Sequence, residues 1–449
     1  MCRLIIALSA FVHFLYAPNQ KTNPDGYKLN SLPSLLDAAP LGRISLDYSR
    51  FGDETIRHVV SEAGERRSSL VASVGLNLDE ASAFDQAWLR STTWPTLPEN
   101  AKSVAVADLF CGSGGLSLGA WEAARALGFK ANYSLAVDND FDALQVFNHN
   151  LHPSYSLAGD IDSIVDGALG KGVTAREVKL LEKIGQIDLL LAGPPCQGHS
   201  DLNNYTRRDD PRNSLVLRVV RFAELTQPRH ILIENVQGAL RDKNGVFQVA
   251  ESYLESLGYR VSTFLLDGAD IGVPQRRRRC FMIATLNGFP PTLAEIKALH
   301  GTQQRTFDWA CSDLDTIQSS CTFDTSAKVY PQNQRRMEYL IEQDVYELPD
   351  AERPDCHKLK DHGYDSVYGR LYPNTPAPTI TTGFGSPGQG RFTHPRFPRT
   401  ITPHEAARLQ SFPDFFTFGI SKRKKLQKII GNAVPPKMAF AVLLSLLDA

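Results

Sequence analysis

A thiol, a carboxylate and a run of guanidinium groups each stand next to a short apolar stretch that reads as a buried strand. Gly193-Pro194-Pro195-Cys196-Gln197 follows the run Ile187–Ala192, so a cysteine falls just past a strand end. That is the rim where α/β proteins hold their ligands. The two prolines stiffen the turn. A free thiol with a pKa of about 8.5 is only slightly ionised at neutral pH, so a nucleophilic Cys196 needs surroundings that favour the anion or remove its proton on attack. The plain alternative is a small buried hydrophobe, the usual role of a lone cysteine. Glu234-Asn235-Val236 follows the run His230–Ile233, expected beside the Cys196 strand. Glu234 then projects toward the same rim, where a carboxyl group can hydrogen-bond the edge of a base. Gln275-Arg276-Arg277-Arg278-Arg279 enters the run Cys280–Ala284. Alternation sends Arg277 and Arg279 to one face and Arg276 and Arg278 to the other. One pair can serve a site while the other meets solvent or phosphate; a solvated charge run is the alternative.

A second group of residues suits a nucleotide-like ligand. Asp108-Leu109-Phe110-Cys111-Gly112-Ser113-Gly114-Gly115 lies between an apolar run and an amphipathic stretch. Gly112 and Gly114 permit a tight turn and a close approach of ligand to backbone. About 23 residues on, Asp138 ends the next apolar run, where an acid can take both ribose hydroxyls of an adenosine. Asp160, in Gly159-Asp160-Ile161, can accept from an adenine amino group or be an ordinary surface carboxylate.

The elements that must position these groups are legible from residue 103 onward. Strands are expected near Val104–Leu109, Ser134–Val137, Ile187–Ala192, His230–Ile233, Val261–Leu266 and Cys280–Ala284. Helices are expected over Leu116–Leu127, Phe141–Asn148, Ala175–Ile184, Asn213–Leu225 and Val246–Leu257. This alternation predicts an α/β fold with a doubly wound, mostly parallel sheet. After about Leu286 the chain turns irregular and rich in Gly, Pro, Thr and aromatic residues until about Pro398, which predicts a smaller second domain. Thr402-Pro403-His404-Glu405 is a capping box with proline at the first helical position, opening a helix through Gln410, and an apolar helix from about Pro436 to Leu447 closes the chain. Residues 1–100 hold helical patches such as Glu80–Leu89 and no motif that can be named.

Bulk properties narrow the classes. At 449 residues with 42% hydrophobic content and a net charge of −1, the chain can build a sizeable core and has no global attraction to polyanions. Seven cysteines without paired spacing argue against a disulfide framework and for a reducing compartment. Cys356-His357, His362, Cys311 and Cys321 are metal-ligand types, but no CxxC pair exists, so no metal is expected. The run Leu4–Tyr16 behind Arg3 resembles a signal-peptide core that is too short to span a bilayer and lacks a cleavage site. A buried segment or an early start codon is the competing reading. Cytoplasmic location, no membrane association and a monomer are expected.

Taken in order, Asp108–Gly115, Asp138, Gly193–Gln197, Glu234–Val236, Gln275–Arg279, Arg408-Leu409-Gln410-Ser411-Phe412-Pro413 and Gly431-Asn432-Ala433-Val434-Pro435-Pro436 resemble the cytosine-5 DNA methyltransferase family, of the bacterial restriction-modification type. The resemblance runs from about residue 103 to the end. It implies a Rossmann-like, S-adenosylmethionine-dependent catalytic domain over 101–288, a target recognition domain over 289–398, a C-terminal segment over 399–449 completing the catalytic domain, and an extension over 1–100 outside the pattern. It implies a cofactor site using Phe110, Gly112, Gly114, Asp138, Asp160, Pro194, Asn432 and Val434, with the last helix packed on the first. Asn139 departs from the pattern, standing where an aromatic that packs on adenine often occurs.

The resemblance further implies a mechanism. Cys196 adds to carbon 6 of a cytosine flipped out of double-stranded DNA, Glu234 bonds N3 and the exocyclic amine, and Arg279, assisted by Arg277, orients the base. A mobile loop over Gln197–Arg212 would close on the duplex, with Gln197, Ser200, Asn203, Asn204, Arg207 and Arg208 as contacts. A cognate restriction endonuclease acting on the same site is a possible partner. Three rivals are RNA as substrate, a non-enzymatic DNA-binding regulator and a nicotinamide-dependent oxidoreductase. The long region between Arg279 and Arg399 argues against the first, intact Cys196, Glu234 and Arg279 against the second, and the cysteine motif against the third.

Overall fold

Seven short apolar runs pair into one sheet in the computed structural model, which describes residues 44–72, 79–97, 101–195, 215–241, 245–301, 304–355 and 367–447. The strands are β4 (Ser103–Leu109), β5 (Lys130–Asp138), β6 (Ser156–Ala158), β7 (Leu189–Ala192), β8 (His230–Val236), β9 (Arg260–Asp267) and β10 (Arg278–Thr285), in the spatial order β6-β5-β4-β7-β8-β10-β9. Pairing is parallel from β6 through β8, and β10 runs antiparallel to both β8 and β9.

Both faces of the sheet are covered, which is why its strands are almost uniformly apolar. On β7, Leu189 and Leu191 join a core with Leu116 and Ala120 of α2 (Gly115–Ala126), Phe147 of α3 (Phe141–Leu151) and Met438 and Val442 of α12 (Pro436–Leu447). Leu190 and Ala192 join the opposite core with Leu180 of α4 (Ala175–Ile184), Val219 of α5 (Leu215–Thr226) and Phe247 of α6 (Val246–Ser256). The side-chain period of two thus sorts neighbouring residues into different layers. Helix α4 occupies the expected residues, opened by a capping box of Thr174 and Glu177. The stretch Arg423–Leu447 is long and apolar enough to cross a membrane, but 78% of its most apolar window is buried, so core packing accounts for its composition.

Residues before 101 hold more structure than their composition suggests. Strands β1 (Ser45–Phe51), β2 (Glu54–Val60) and β3 (Arg66–Ala72) form an antiparallel meander, followed by α1 (Glu80–Arg90). In β3 the exposed face carries Arg66, Ser68 and Leu70 and the covered face Arg67, Ser69 and Val71. Charge and serine on both faces hide the strand from a hydrophobicity reading.

Between β10 and the C-terminal helices lie α7 (Leu293–His300), α8 (Phe307–Cys311) and α9 (Pro331–Glu342), together with isolated bridges such as Arg370↔Thr393. A separate apolar cluster holds this region. Ile380, Phe384 and Phe392 meet Leu409 and Ala406 of α10 (Pro403–Leu409), Ile430 of α11 (Arg423–Asn432) and Phe84 and Trp88 of α1. The Thr402–Glu405 capping box forms as expected, with Glu405 N–H donating to Thr402 Oγ1 at 3.1 Å and Thr402 N–H to Glu405 Oε2 at 2.7 Å.

Candidate active site

The chain leaves β4 outward through β5 and β6, then returns to β7 on the other side of β4 and continues to β8. The carboxyl ends of β4 and β7 therefore flank the point where the winding reverses, and a crevice at that point is where open α/β sheets bind ligands. Gly193 N–H donates to Leu109 O at 3.1 Å, locking the two strand ends side by side.

Beyond β4 the backbone turns sharply. Phe110 and Gly112 have φ of 61° and 54°, and the αL residue Gly114, at 94°, caps α2. A side chain on Gly114 would meet Leu151 Cδ1 at 2.7 Å, so both torsion and space require glycine there. Asp138 fixes this turn from the end of β5, its Oδ2 accepting from Gly112 N–H at 2.8 Å and its Oδ1 from Asp140 N–H at 2.7 Å. Burial raises the Asp138 carboxyl from its ordinary value, against the pull of those two bonds. Each oxygen keeps acceptor capacity for a further donor such as a hydroxyl. Ser113 Oγ is buried in the same turn and has no hydrogen-bond partner among the described residues. Asn139 and Asp160 are exposed, and no side-chain bond caps the turn at Asp160.

The C-terminal turn closes on this loop. Val434 O lies only 2.1 Å from where a side-chain carbon on Gly115 would stand, and Ala439 Cβ 2.5 Å from the equivalent point on Gly119, so α2 and α12 touch backbone to backbone. Asn432 ends α11 exposed, and Val434 is half-buried.

Beyond β7, Pro194 is buried and its carbonyl accepts from Asn235 Nδ2 at 3.4 Å. Cys196, Gln197, Ser200, Asn203, Asn204, Arg207 and Arg208 lie outside the described residues, as do Cys356, His357 and His362. Glu234 does reach the rim: its Oε2 is 3.9 Å from where a side-chain carbon on Gly193 would be. On β10, Arg279 pairs with Val236 and Phe281 with Glu234, so Arg279 and Glu234 are diagonal neighbours on one face. Arg279 Nε meets Glu234 Oε1 at 2.9 Å. Glu234 is 7% exposed, and burial raises its carboxyl even though Arg279 and Arg277 pull it down.

The four arginines separate as alternation requires, with Arg276 and Arg278 exposed. Arg277 also bonds to carbonyls of the chain well beyond the motif. Buried just before β10 begins, it donates to Ile380 O at 2.9 Å, Ala433 O at 3.0 Å and Gly431 O at 3.3 Å. It ties the arginine motif to the C-terminal turn and acts on Glu234 through its charge. Gln275 and Gln410 extend that tie. Gln275 Nε2 donates to Gln410 Oε1 at 2.9 Å, Ile380 N–H donates to Gln275 Oε1 at 2.7 Å, and Gln410 Nε2 donates to Ile430 O at 2.6 Å. Both glutamines stand inside motifs quoted for their arginines; fully buried amides are what joins those motifs.

Another cluster escapes a reading of the sequence. Asp315, His394 and Glu405 bring three ligand-type atoms within 4.8 Å of one another. Arg399 already donates to Glu405 at 2.9 and 2.7 Å, and Arg396 to Asp315 Oδ2 at 2.5 Å, so guanidinium groups fill the place of a cation. Nearby Arg408 grips Asp414 through two bonds, at 2.8 and 2.5 Å, and donates to both oxygens of Asp313 at 2.8 and 2.9 Å.

Known proteins resemble this chain in sequence and fold. The profile of the family described as C-5 cytosine-specific DNA methylase matches residues 104–448. The chain is 45% identical over 397 residues to the Type II methyltransferase M1.BsuMI of Bacillus subtilis, covering 88% of this chain and 93% of that protein. It is 30% identical over 384 residues to the Type II methyltransferase M.DdeI of Desulfomicrobium norvegicum, covering 75% and 87%. Among solved structures, one described as a DNA modification methyltransferase encoded within an E. coli prophage superposes with a TM-score of 0.53 at 26% identity, covering 76% of this chain and 98% of that one. The S. pombe Dnmt2 methyltransferase, at 19% identity and a TM-score of 0.51, shares the fold. With a glycine turn, a rim carboxylate–arginine pair and a family match over most of its length, this chain belongs to the C-5 cytosine-specific DNA methylases.

Proposed function

We propose that this DNA cytosine-5 methyltransferase acts on a flipped cytosine in a specific duplex sequence, with Cys196 as nucleophile and S-adenosylmethionine as donor, in a restriction-modification system with a cognate endonuclease. The observation that carries the reading is the Glu234–Arg279 pair, held at the rim of β7 and β8 beside Gly193-Pro194, two residues before Cys196. Carbon 5 of cytosine is a weak nucleophile until electrons enter the ring, and addition of the Cys196 thiolate to carbon 6 supplies them. Negative charge then develops toward N3. A buried carboxyl with a raised pKa can share a proton with N3 while its other oxygen accepts from the exocyclic amine. Arg279 holds that carboxyl through Oε1, and Oε2 is the oxygen that faces Gly193.

The residues present fit the donor. Phe110, Gly112 and Gly114 shape the turn, Asp138 offers acceptor capacity to ribose hydroxyls, Ser113 offers an unused hydroxyl, and Asp160, Pro194, Asn432 and Val434 border the same region. S-adenosylmethionine supplies an electrophilic methyl group when bound. Residues 289–398 are the target recognition domain of this reading, and Gln197, Ser200, Asn203, Asn204, Arg207 and Arg208 its loop contacts. A monomer suffices for it.

Incubation with donor and a duplex bearing 5-fluorocytosine at the recognised site tests the mechanism, because the fluorine cannot leave as a proton does. A stable adduct with the wild-type chain, lost in Cys196→Ala while donor binding persists, is expected. No adduct from an active wild-type preparation would overturn the assignment of the nucleophile.

A further inference from the structure

The N-terminal module is wedged against the parts of the catalytic domain that carry the C-terminal turn, although residues 44–97 precede the matched family region. On β2, the guanidinium of Arg57 is sandwiched between Phe84 of α1 and Phe440 of α12, 4.7 Å from each ring centroid. It also donates to Glu122 of α2 at 2.7 Å. Helix α1 also meets α8 and the segment that follows α10. Gln86 Nε2 donates to Trp309 O at 2.7 Å, Trp309 Nε1 to Ser82 Oγ at 2.9 Å, and Asp414 N–H to Leu89 O at 3.0 Å.

One contact points directly at the turn. Lys437 Nζ donates to Asp85 Oδ1 at 2.7 Å, with the two side chains only 13% and 16% exposed. Lys437 follows Pro436, so its position sets where the segment Asn432–Pro435 rejoins α12. The backbone N–H of Lys437 donates to Ser411 Oγ at 3.1 Å, and the turn itself abuts Gly115 and Arg277. A buried ammonium needs its counter-charge, so Asp85 fixes the place of Lys437.

We propose that Asp85 is a positioning residue for methyl transfer: through Lys437 it holds the Asn432–Pro435 turn in its donor-binding shape, which makes the N-terminal module part of the cofactor site. The claim rests on the reading that Asn432 and Val434 contact the donor. The identity to M1.BsuMI covers more of this chain than the family profile does, so that similarity reaches into the residues before 104.

The test is calorimetric titration of the full-length protein with S-adenosylmethionine, alongside duplex affinity and thermal melting. Asp85→Asn is expected to weaken donor binding about tenfold, raising KM for the donor more than it lowers kcat, with duplex affinity unchanged and with Asp85→Glu restoring most of the loss. A role in stability alone would lower Tm and leave donor affinity, measured well below the melting transition, as it was. Should Asp85→Asn not fold, Lys437→Met, which leaves no buried ammonium, carries the same expectation. Asn432→Ala separates the two claims. If it leaves donor affinity intact, the turn is not the donor site and the underlying reading falls. If it weakens binding while folded Asp85→Asn and Lys437→Met do not, the proposal is overturned and that reading stands.

Discussion

Glu234 and Glu405 are the same residue type, 7% and 1% exposed, yet their carboxyl groups shift in opposite directions. Burial pushes both upward. At Glu405 it is overwhelmed by Arg399, which bonds both oxygens, and by His394, so the group is held far below the carboxylate range. At Glu234 the bond from Arg279 and the charge of Arg277, its partners among the described residues, do not offset it, and the carboxyl is left raised. The difference teaches how a structural charge is told from a working one: the first is saturated by the protein, and the second keeps capacity in reserve for something absent.

Substitutions can break that comparison. Glu405→Gln should cost about 4 kcal/mol of stability, because the Arg399 guanidinium loses its counter-charge, and denaturant unfolding reads it directly. Its residual folded fraction should methylate with near-normal kcat. Glu234→Gln should reverse the pattern, lowering kcat by roughly a few hundredfold, ~3 kcal/mol in the transition state, with little change in melting. Equal thermal losses in both variants would erase the distinction.

Acid titration sharpens it through a third buried carboxyl. Burial alone would raise Glu122, but Arg125 and Arg57 outweigh it and bring it down to about 2 from 4.5. A depressed carboxylate contributes stability that is fully present above its unfolded pKa and lost as pH falls through the folded one. Unfolding free energy should therefore decline between about pH 5 and pH 2, and Glu122→Gln should remove on the order of 3 kcal/mol of that dependence. An unchanged acid limb in the variant would show that the three-residue cluster is not formed. The smallest expected effect is that of Arg279→Lys. It keeps the charge and loses the guanidinium geometry, so kcat should fall about tenfold, ~1.4 kcal/mol, while the carboxyl stays raised. A methylation time course against a saturating duplex measures it.

Much of the catalytic half is legible because its signals are local. Thr174 and Glu177 cap a helix whose limits can be read, and the apolar runs around Leu190 and Leu232 can only be covered strands. The placement of Glu234 at a strand end follows from the same grammar. The meander at 45–72 is hidden because Arg57 and His58 are buried polar residues within a strand, bonded to Glu122 and to Ser49 and Ser68. Arg277 escapes a local reading for a related reason. Alternation gives a face, but the carbonyls of Ile380, Gly431 and Ala433 that turn it into a clamp lie more than a hundred residues away.

By itself the chain of residues determined which groups can do chemistry, the alternation of strands and helices that carries them, and the family they belong to. These depend on side-chain type, spacing and hydrophobic period, all written along the backbone. Only the tertiary structure decided which of two buried glutamates is saturated, that Arg277 braces a turn, and that Asp85 meets Lys437 across the molecule. Those outcomes depend on desolvation and on donors brought together from distant positions, and no local pattern encodes either.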